Sequence, residues 1–187
     1  MRVISGSVRG LKLNTPTNND IRPTTDRVKE AMFNVIASEI YDSIVFDMFS
    51  GSGALGIEAL SRGAKKSYFC DKNRQSIEVL KKNIEKTRFE DRSNVTVGDY
   101  KVAIDMLKKN NIRCNLIFVD PPYYEGYFEE VLKSIVENEI LEDDGVIVVE
   151  HDAKTDIPEI FGLEKFKEKK YGITKLSFYT LEEDDEL

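Results

Sequence analysis

The sequence has few of the residues that metal, disulfide or nucleophilic sites require. Its 187 residues include two cysteines and one histidine. Cys70 and Cys114 lie far apart in apolar runs and form no Cys-x-x-Cys pair, so we expect two reduced, buried side chains and neither a zinc site nor a catalytic thiol. His151 follows an apolar run and matches no catalytic motif, and we expect it at the surface.

Long apolar segments are also missing. No run approaches the roughly 20 residues that are needed to cross a bilayer, and the charged N-terminus is not followed by the apolar core of a signal peptide. We therefore expect a cytoplasmic monomer with no membrane partner. A length of 187 residues suits one domain with a sizeable core but not a second large recognition domain.

Positive charge is scarce for a protein that binds nucleic acid. The net charge is −7, whereas neutralising phosphates normally needs a basic surface. Five of the acids lie in residues 182–187, which we interpret as a solvated tail after a domain that spans residues 1–181; the remainder has 27 basic and 29 acidic residues. Residues 1–30 hold a small excess of basic residues, which fits either an RNA-facing patch or an ordinary solvated face.

The apolar periodicity predicts strands that alternate with helices. Residues 3–13 are typical of a short hairpin, residues 14–23 of a polar loop, and residues 26–40 of an amphipathic helix. Later strands are predicted at 44–49, 67–70, 116–119 and 146–149, with helices at 55–61, 76–88, 102–109 and 127–138. Residues 163–169 and 173–181 predict a terminal antiparallel hairpin. The pattern indicates an α/β fold with a mostly parallel sheet, helices on both faces and ligands beyond the carboxyl ends of the strands.

A glycine-rich loop, Gly51-Ser52-Gly53-Ala54-Leu55-Gly56, connects the first predicted strand of the sheet to a helix. Such a loop can approach either the pyrophosphate of a dinucleotide or the methionine and ribose of S-adenosylmethionine. Asp47 stands just before it, and a carboxylate there repels pyrophosphate but suits an ammonium and a sulfonium. The pair therefore favours S-adenosylmethionine.

Two more acidic residues follow neighbouring predicted strands. Asp71 can accept hydrogen bonds from both ribose hydroxyls. Asp99 can accept one from an adenine amine or cap the helix that follows it, and the two roles are compatible.

Asp120-Pro121-Pro122-Tyr123 directly follows an apolar strand. An exocyclic base amine is a poor nucleophile because its lone pair is delocalised into the ring. Asp120 and the carbonyl of Pro121 can accept the two amine hydrogens and turn the lone pair towards a methyl donor. Tyr123 can stack on a nucleotide that has been extruded from its helix. The segment predicts methyl transfer to an exocyclic amine.

With these motifs in order, the chain resembles the bacterial small-subunit ribosomal RNA guanine-N2 methyltransferases of the RsmD type. The resemblance is carried by Arg2-Val3-Ile4-Ser5-Gly6 with Arg9-Gly10, residues 22–31, residues 47–64, Asp120 to Tyr123, and Tyr171-Gly172. It implies a class I methyltransferase fold with seven strands. The residues that it implies for cofactor binding are Asp47, Ser50, Gly51, Gly53, Asp71 and Asp99. Those that it implies for RNA binding are Arg9, Arg22, Thr24, Arg27 and Pro122. The sequence departs from the family in having Asp71 where Glu is more common and Ser50 where Ala is more common.

The resemblance thus implies methylation of a guanine N2 in 16S ribosomal RNA, with S-adenosylhomocysteine as product and no metal, and the weak basic charge favours the assembled small subunit as substrate. A DNA adenine-N6 methyltransferase needs the same tetrapeptide, but usually carries a recognition domain. Protein glutamine methyltransferases usually have Asn at the position that corresponds to Asp120 of this sequence. A nicotinamide-dependent oxidoreductase does not need Asp47 or the tetrapeptide, and a non-catalytic RNA-binding module does not need the cofactor motifs.

Overall fold

The computed structural model describes residues 1–16, 25–121 and 127–182. These residues form one seven-stranded sheet in the order β3-β2-β1-β4-β5-β7-β6. The strands are β1 (Ile44–Asp47), β2 (Lys66–Asp71), β3 (Ser93–Val97), β4 (Cys114–Val119), β5 (Leu141–Asp152), β6 (Leu163–Tyr171) and β7 (Thr174–Leu181). Strands β1 to β5 run parallel, and β7 is antiparallel to both β5 and β6. The predicted α/β class, the parallel sheet and the terminal hairpin are confirmed.

Helices cover both faces of this sheet. They are α1 (Asp26–Val35), α2 (Ala54–Ser61), α3 (Arg74–Thr87), α4 (Tyr100–Lys109) and α5 (Tyr127–Glu137), with short 3-10 turns at Ala37–Glu39 and Glu90–Arg92. Helices α1 to α3 share an apolar core with one face of the sheet, and α4 and α5 share a second core with the other. Strands β1, β2 and β4 and the second half of β5 are buried on both faces, which is why each appears in the sequence as a short apolar run.

The predicted N-terminal hairpin is present as an isolated antiparallel bridge between Arg2 and Lys12 with further backbone hydrogen bonds around it. Residues 1–16, which we call the N-terminal arm, also direct part of their backbone towards α2. The N–H of Ser7 donates to the carbonyl of Ser61 at 2.7 Å, and a Cβ on Gly6 would lie 1.9 Å from the same oxygen. The N–H of Val3 donates to the carbonyl of Leu11 at 2.9 Å, that of Gly10 to Val3 at 2.8 Å and that of Leu13 to Met1 at 3.0 Å. The predicted hairpin is therefore confirmed, and it also packs against α2.

The expectation that His151 lies at the surface is wrong, because only 1% of the residue is exposed. Strand β5 extends to Asp152 and pairs with β7, which covers the histidine. Its Nε2 lies 2.8 Å from the hydroxyl of Ser177, and burial lowers the pKa of the imidazole. Cys70 and Cys114 are buried and form no disulfide, as expected.

Candidate active site

Four acidic residues lie where parallel strands end. Asp47 and Asp71 close β1 and β2, while Asp99 and Asp120 come just after β3 and β4. The strand order places these four ends side by side at one edge of the sheet. The connections change direction between β1 and β4, and the crevice outside such a switch point is where open α/β sheets bind ligands.

The glycine loop between β1 and α2 has two residues in the left-handed region, Gly51 at φ 51° and Gly53 at φ 83°. A Cβ on Gly53 would lie 2.3 Å from Cδ1 of Leu80, so this position has no space for a side chain. A Cβ on Gly51 would meet no atom within 4 Å. Gly53 is therefore needed for packing against α3, whereas Gly51 faces open space in which a ligand can approach the backbone.

Asp71 holds this loop in place. Its Oδ2 accepts the N–H of Gly51 at 2.8 Å, and its Oδ1 accepts the N–H of Asn73 at the same distance. Each carboxylate oxygen has about two lone pairs, so both can still accept a hydroxyl. The prediction that Asp71 binds ribose is compatible with this geometry, and the sequence did not reveal that Asp71 also fixes the loop.

Ser50 anchors the start of the loop to the same strand end. Its N–H and its hydroxyl donate to the carbonyl of Cys70, at 2.9 and 3.1 Å. The hydroxyl is thus engaged within the protein, and the contribution of Ser50 to a cofactor site is to fix the loop.

Asp47 is buried, and its Oδ2 accepts the N–H of Gly56 in the first turn of α2 at 2.9 Å. The N-cap residue Gly53 has no side chain to cap this helix, so the carboxylate takes that role at the positive end of the helix dipole. Burial, together with the neighbouring charge of Asp71, raises the pKa of Asp47 to about 7. A nearby cation would favour the ionised form.

Asp99 caps α4, because its side chain accepts the N–H of Lys101 at 3.1 Å. The capping role is confirmed, and the contact with an adenine amine stays a prediction.

Next to Asp99 lies an aromatic cluster that the sequence analysis did not predict. The ring of Phe49 lies 5.7 Å from those of Tyr100 and Tyr127, which are themselves 5.8 Å apart. Phe49 lies two positions before Gly51, and Tyr100 directly follows Asp99. This closeness in sequence to predicted site residues was the signal that could have revealed them.

Asp120 lies beside Glu150, since Val119 at the end of β4 pairs with Val149 in β5. Burial raises the pKa of Asp120 well above its ordinary value, and the charges of Glu150 and Asp47 add to the effect. Pro121 is buried. Pro122 and Tyr123 lie outside the described residues. The structure thus places Asp120 and Pro121 at the same edge as the glycine loop.

The N-terminal arm is fixed to the domain by a buried carboxylate on α2. The Oε2 and Oε1 atoms of Glu58 accept the N–H groups of Ile4 and Ser5, at 2.8 and 3.0 Å. The same carboxylate pairs with Nζ of Lys29 at 3.1 Å and Nε of Arg62 at 2.8 Å. The arm is therefore held against α2 by a satisfied polar network.

This network changes the interpretation of the basic residues near the N-terminus. Lys29 is fully buried, and Arg2 pairs with Asp26 at 2.8 Å, so neither is a free surface cation. Arg9 and Arg27 are exposed and remain available for RNA. Arg22 and Thr24 lie outside the described residues.

Residues 1–16, 25–121 and 127–182 contain neither a metal-binding cluster nor a membrane-spanning helix. No group of three or more His, Cys, Asp or Glu side chains is placed so that it can hold a metal ion. No helix in this part of the chain is both long and apolar enough to span a membrane.

Comparison with known proteins identifies a family that the chain matches over nearly its whole length. The family described as "Conserved hypothetical protein 95" matches residues 1–180. A Bacillus subtilis protein named "Putative rRNA methyltransferase YlbH" is 39% identical over 180 residues, covering 96% of this chain and 98% of that protein. An Escherichia coli protein named "Ribosomal RNA small subunit methyltransferase D" is 36% identical over 164 residues, covering 86% and 79%.

A solved structure agrees with these relatives. The Escherichia coli protein titled "Putative methyltransferase yhhF" superposes with a TM-score of 0.85 at 34% identity, covering 97% of this chain and 98% of that one. The similarity thus extends over the arm, the glycine loop and the strand that precedes Asp120.

Proposed function

The chain belongs to the family described as conserved hypothetical protein 95, and from this premise we propose that it transfers a methyl group from S-adenosylmethionine to the exocyclic N2 of a guanine in 16S ribosomal RNA. Relatives in this family are named as methyltransferases of ribosomal RNA. To this the proposal adds the guanine nitrogen as acceptor, the assembled small subunit as substrate and a cytoplasmic monomer as the active form.

One observation supports the chemistry most directly. Asp47 at the end of β1 pairs with Phe118 in β4, so the glycine loop and Asp120 leave the sheet from neighbouring strands. A cofactor held by the loop is thereby close to an amine held at Asp120. Proximity of this kind can supply much of the rate of a transfer between two bound molecules.

The described residues fit S-adenosylmethionine, which when bound supplies an activated methyl group. Gly51 offers an open backbone face, Asp71 has acceptor capacity for ribose hydroxyls, and the partly exposed ring of Phe49 offers aromatic surface for a planar base. Asp47 and Asp99 add negative charge near a cationic ligand. Ser50 and Gly53 hold the loop in shape.

Asp120 and the carbonyl of Pro121 are proposed to accept the two hydrogens of the guanine amine. This directs the nitrogen lone pair towards the methyl group, and the amine proton leaves during or after the transfer. Pro122 and Tyr123 complete the proposed base-binding segment. The two cysteines are buried, and the proposed reaction is a direct transfer without an enzyme-bound methyl group.

Arg9 and Arg27 are proposed to contact the RNA backbone together with Arg22 and Thr24. The first two are exposed and belong to the segments that carry the resemblance to ribosomal RNA methyltransferases. A DNA adenine-N6 methyltransferase would use the same amine chemistry, but none of the named relatives points to DNA.

The substrate can be identified directly. The protein and labelled S-adenosylmethionine are incubated in three separate reactions, with unmodified small ribosomal subunits, with their naked RNA and with DNA. The nucleic acid from each reaction is then digested to nucleosides. We expect label in N2-methylguanosine from the subunits. Label in adenine from DNA would overturn the assignment.

The role of Asp120 has a matched control. Asp120→Ala should lose at least 100-fold in turnover while S-adenosylmethionine still binds, because the acceptor acts on the amine. Asp144→Ala removes an exposed carboxylate on β5 and should leave turnover unchanged. Equal turnover in the two variants would contradict the proposed role.

A further inference from the structure

The N-terminal arm and the C-terminal end of α3 enclose an open concavity of about 550 Å³. It is separate from the edge of the sheet that carries the four acidic residues. Its lining consists of Val8, Arg9, Gly10, Leu11, Lys86, Thr87 and Arg88. Three of these seven residues are exposed cations.

The charge of this region is opposite to that of the chain. Residues 8–12 and 82–88 contain five exposed cations, Arg9, Lys12, Lys82, Lys86 and Arg88, and one acid, Glu85. The whole chain has a net charge of −7. A local excess of four positive charges on such a background marks a surface suited to an anionic partner.

The cations are placed for contact with a ligand. Nζ of Lys86 donates to the backbone carbonyl of Lys12 at 2.6 Å, which holds the ammonium group against the arm. Within the described part of the chain, no hydrogen bond or ion pair engages the guanidinium of Arg9 or of Arg88. Both groups are therefore free to bind phosphate oxygens.

Arg88 occupies an unusual position. It ends α3 in the left-handed conformation at φ 59° and ψ 42°. Glycine is the usual residue there because it adopts this conformation without strain. The chain has an exposed guanidinium at a position where glycine would suit the fold better, so the side chain can be removed without strain.

The concavity is connected to the active site by the arm itself. Asn14 lies four positions after Gly10, a span of at most about 14 Å, or roughly four nucleotides of a duplex strand. The backbone of Asn14 is bonded to Asn83, whose Nδ2 also donates to the carbonyl of Ser52 in the glycine loop. A nucleic acid strand that follows the arm from Gly10 to Asn14 therefore reaches the glycine loop, which leaves the sheet beside the strand that precedes Asp120.

We propose that this concavity binds backbone phosphates of the RNA that the active site methylates, with Arg9, Lys86 and Arg88 as the phosphate ligands. The inference rests on the proposed function, since it assumes an RNA substrate. Contacts of this kind position the RNA without reading its sequence, and they make binding dependent on salt.

Arg88→Gly tests the proposal with two readouts that move in different directions. The substitution should keep or raise the melting temperature, because glycine suits the left-handed position. It should weaken binding to unmodified small subunits and to their naked RNA, and make the slope of log affinity against log salt shallower by about 0.7 to 0.9. Adding Lys86→Gln should roughly double the change in slope. Lys109→Gln, an exposed cation on the opposite face in α4, should change neither readout.

The outcomes separate the alternatives. Unchanged affinity and slope in Arg88→Gly, with methylation by the unaltered protein intact, would overturn the docking proposal alone. If Arg88→Gly loses binding to subunits but not to naked RNA, the partner of the concavity is a ribosomal protein. If the unaltered protein is a dimer that dissociates in Arg88→Gly, the partner is a second copy of the chain. Either result overturns the assignment of the concavity to RNA. Failure of the unaltered protein to methylate subunits or naked RNA would overturn the proposed function, and the docking proposal with it.

Discussion

The amide nitrogen of Asn83 donates a 2.9 Å hydrogen bond to the backbone carbonyl of Ser52. The same side chain accepts the N–H of Asn14 at 2.7 Å and donates to its carbonyl at 3.0 Å. One fully buried residue of α3 thus joins the glycine loop to the N-terminal arm. The loop is the proposed cofactor site and the arm leads to the proposed RNA contacts, so Asn83 connects the two halves of the site.

Asn83→Ala should therefore weaken cofactor binding although it does not line the open face of the loop. The substitution leaves the carbonyl of Ser52 without its donor, and an unsatisfied buried group costs about 1–3 kcal/mol. We expect a several-fold rise in the Kd for S-adenosylmethionine, measured by calorimetry, and a lower melting temperature. Thr87→Val is the control, since the Thr87 hydroxyl bonds only to carbonyls within α3. Equal cofactor affinity in both variants would show that the glycine loop does not depend on Asn83.

Cofactor affinity should also depend on pH through Asp47. Burial, with the nearby charge of Asp71, raises the pKa of Asp47 to about 7, so its carboxyl is mostly protonated at pH 6 and mostly ionised at pH 8. A cation binds the ionised form better, and linkage then predicts affinity about tenfold weaker at pH 6 than at pH 8. Asp47→Asn should remove this dependence. Titration of the ligand affects the unaltered protein and the variant equally, so the difference between their affinity profiles reports on Asp47 alone. Parallel pH profiles would contradict the assignment.

The sequence predicted the site edge well because the chemistry there is local. Asp47, Asp71 and Asp120 each follow an apolar run of three or four residues, and strands buried on both faces produce such runs. Parallel connections then bring their carboxyl ends to one edge. Strand ends and the residues after them could therefore be located without knowledge of tertiary contacts.

The sequence predicted poorly wherever a distant partner decides burial. Lys29 was counted with the surface cations, but it is buried against Glu58, which lies 29 positions later. His151 was expected at the surface, but β7 covers it through Ser177. In both cases the residue type alone suggested exposure, and only the pairing of segments far apart in the chain reversed it.

Alanine substitutions at the two left-handed glycines of the loop should have different effects on stability and on cofactor binding. Alanine is strained at either position, but at Gly53 its Cβ would also lie 2.3 Å from Leu80, whereas at Gly51 it would meet only open space. Gly53→Ala should therefore lose about 1–3 kcal/mol more of unfolding free energy than Gly51→Ala. Gly51→Ala should stay folded and bind S-adenosylmethionine about tenfold more weakly or worse, because its Cβ occupies space that the ligand approaches.

A control for backbone strain exists in the β6–β7 turn. Gly172 has φ 62° and open space around its Cβ position, like Gly51, but it lies in a different part of the fold. Gly172→Ala should lower stability about as much as Gly51→Ala and leave cofactor binding unchanged. If Gly51→Ala binds the cofactor as well as Gly172→Ala does, the open face of the loop is not a binding surface.

The pH dependence of methyl transfer should report on Glu150. The pKa of Asp120 is raised by burial and then by the charge of Glu150 beside it. Only the ionised carboxylate accepts an amine hydrogen at full strength, so the single-turnover rate should fall as pH decreases through the pKa of Asp120. Glu150→Gln preserves the shape of the side chain and removes its charge, which lowers the pKa of Asp120 and should move the acidic limb of the profile to lower pH. Asp144→Asn, which removes an exposed charge elsewhere on β5, should leave the limb in place. A limb that stays fixed in Glu150→Gln, or that moves to higher pH, would mean that another group controls the acidic loss of activity.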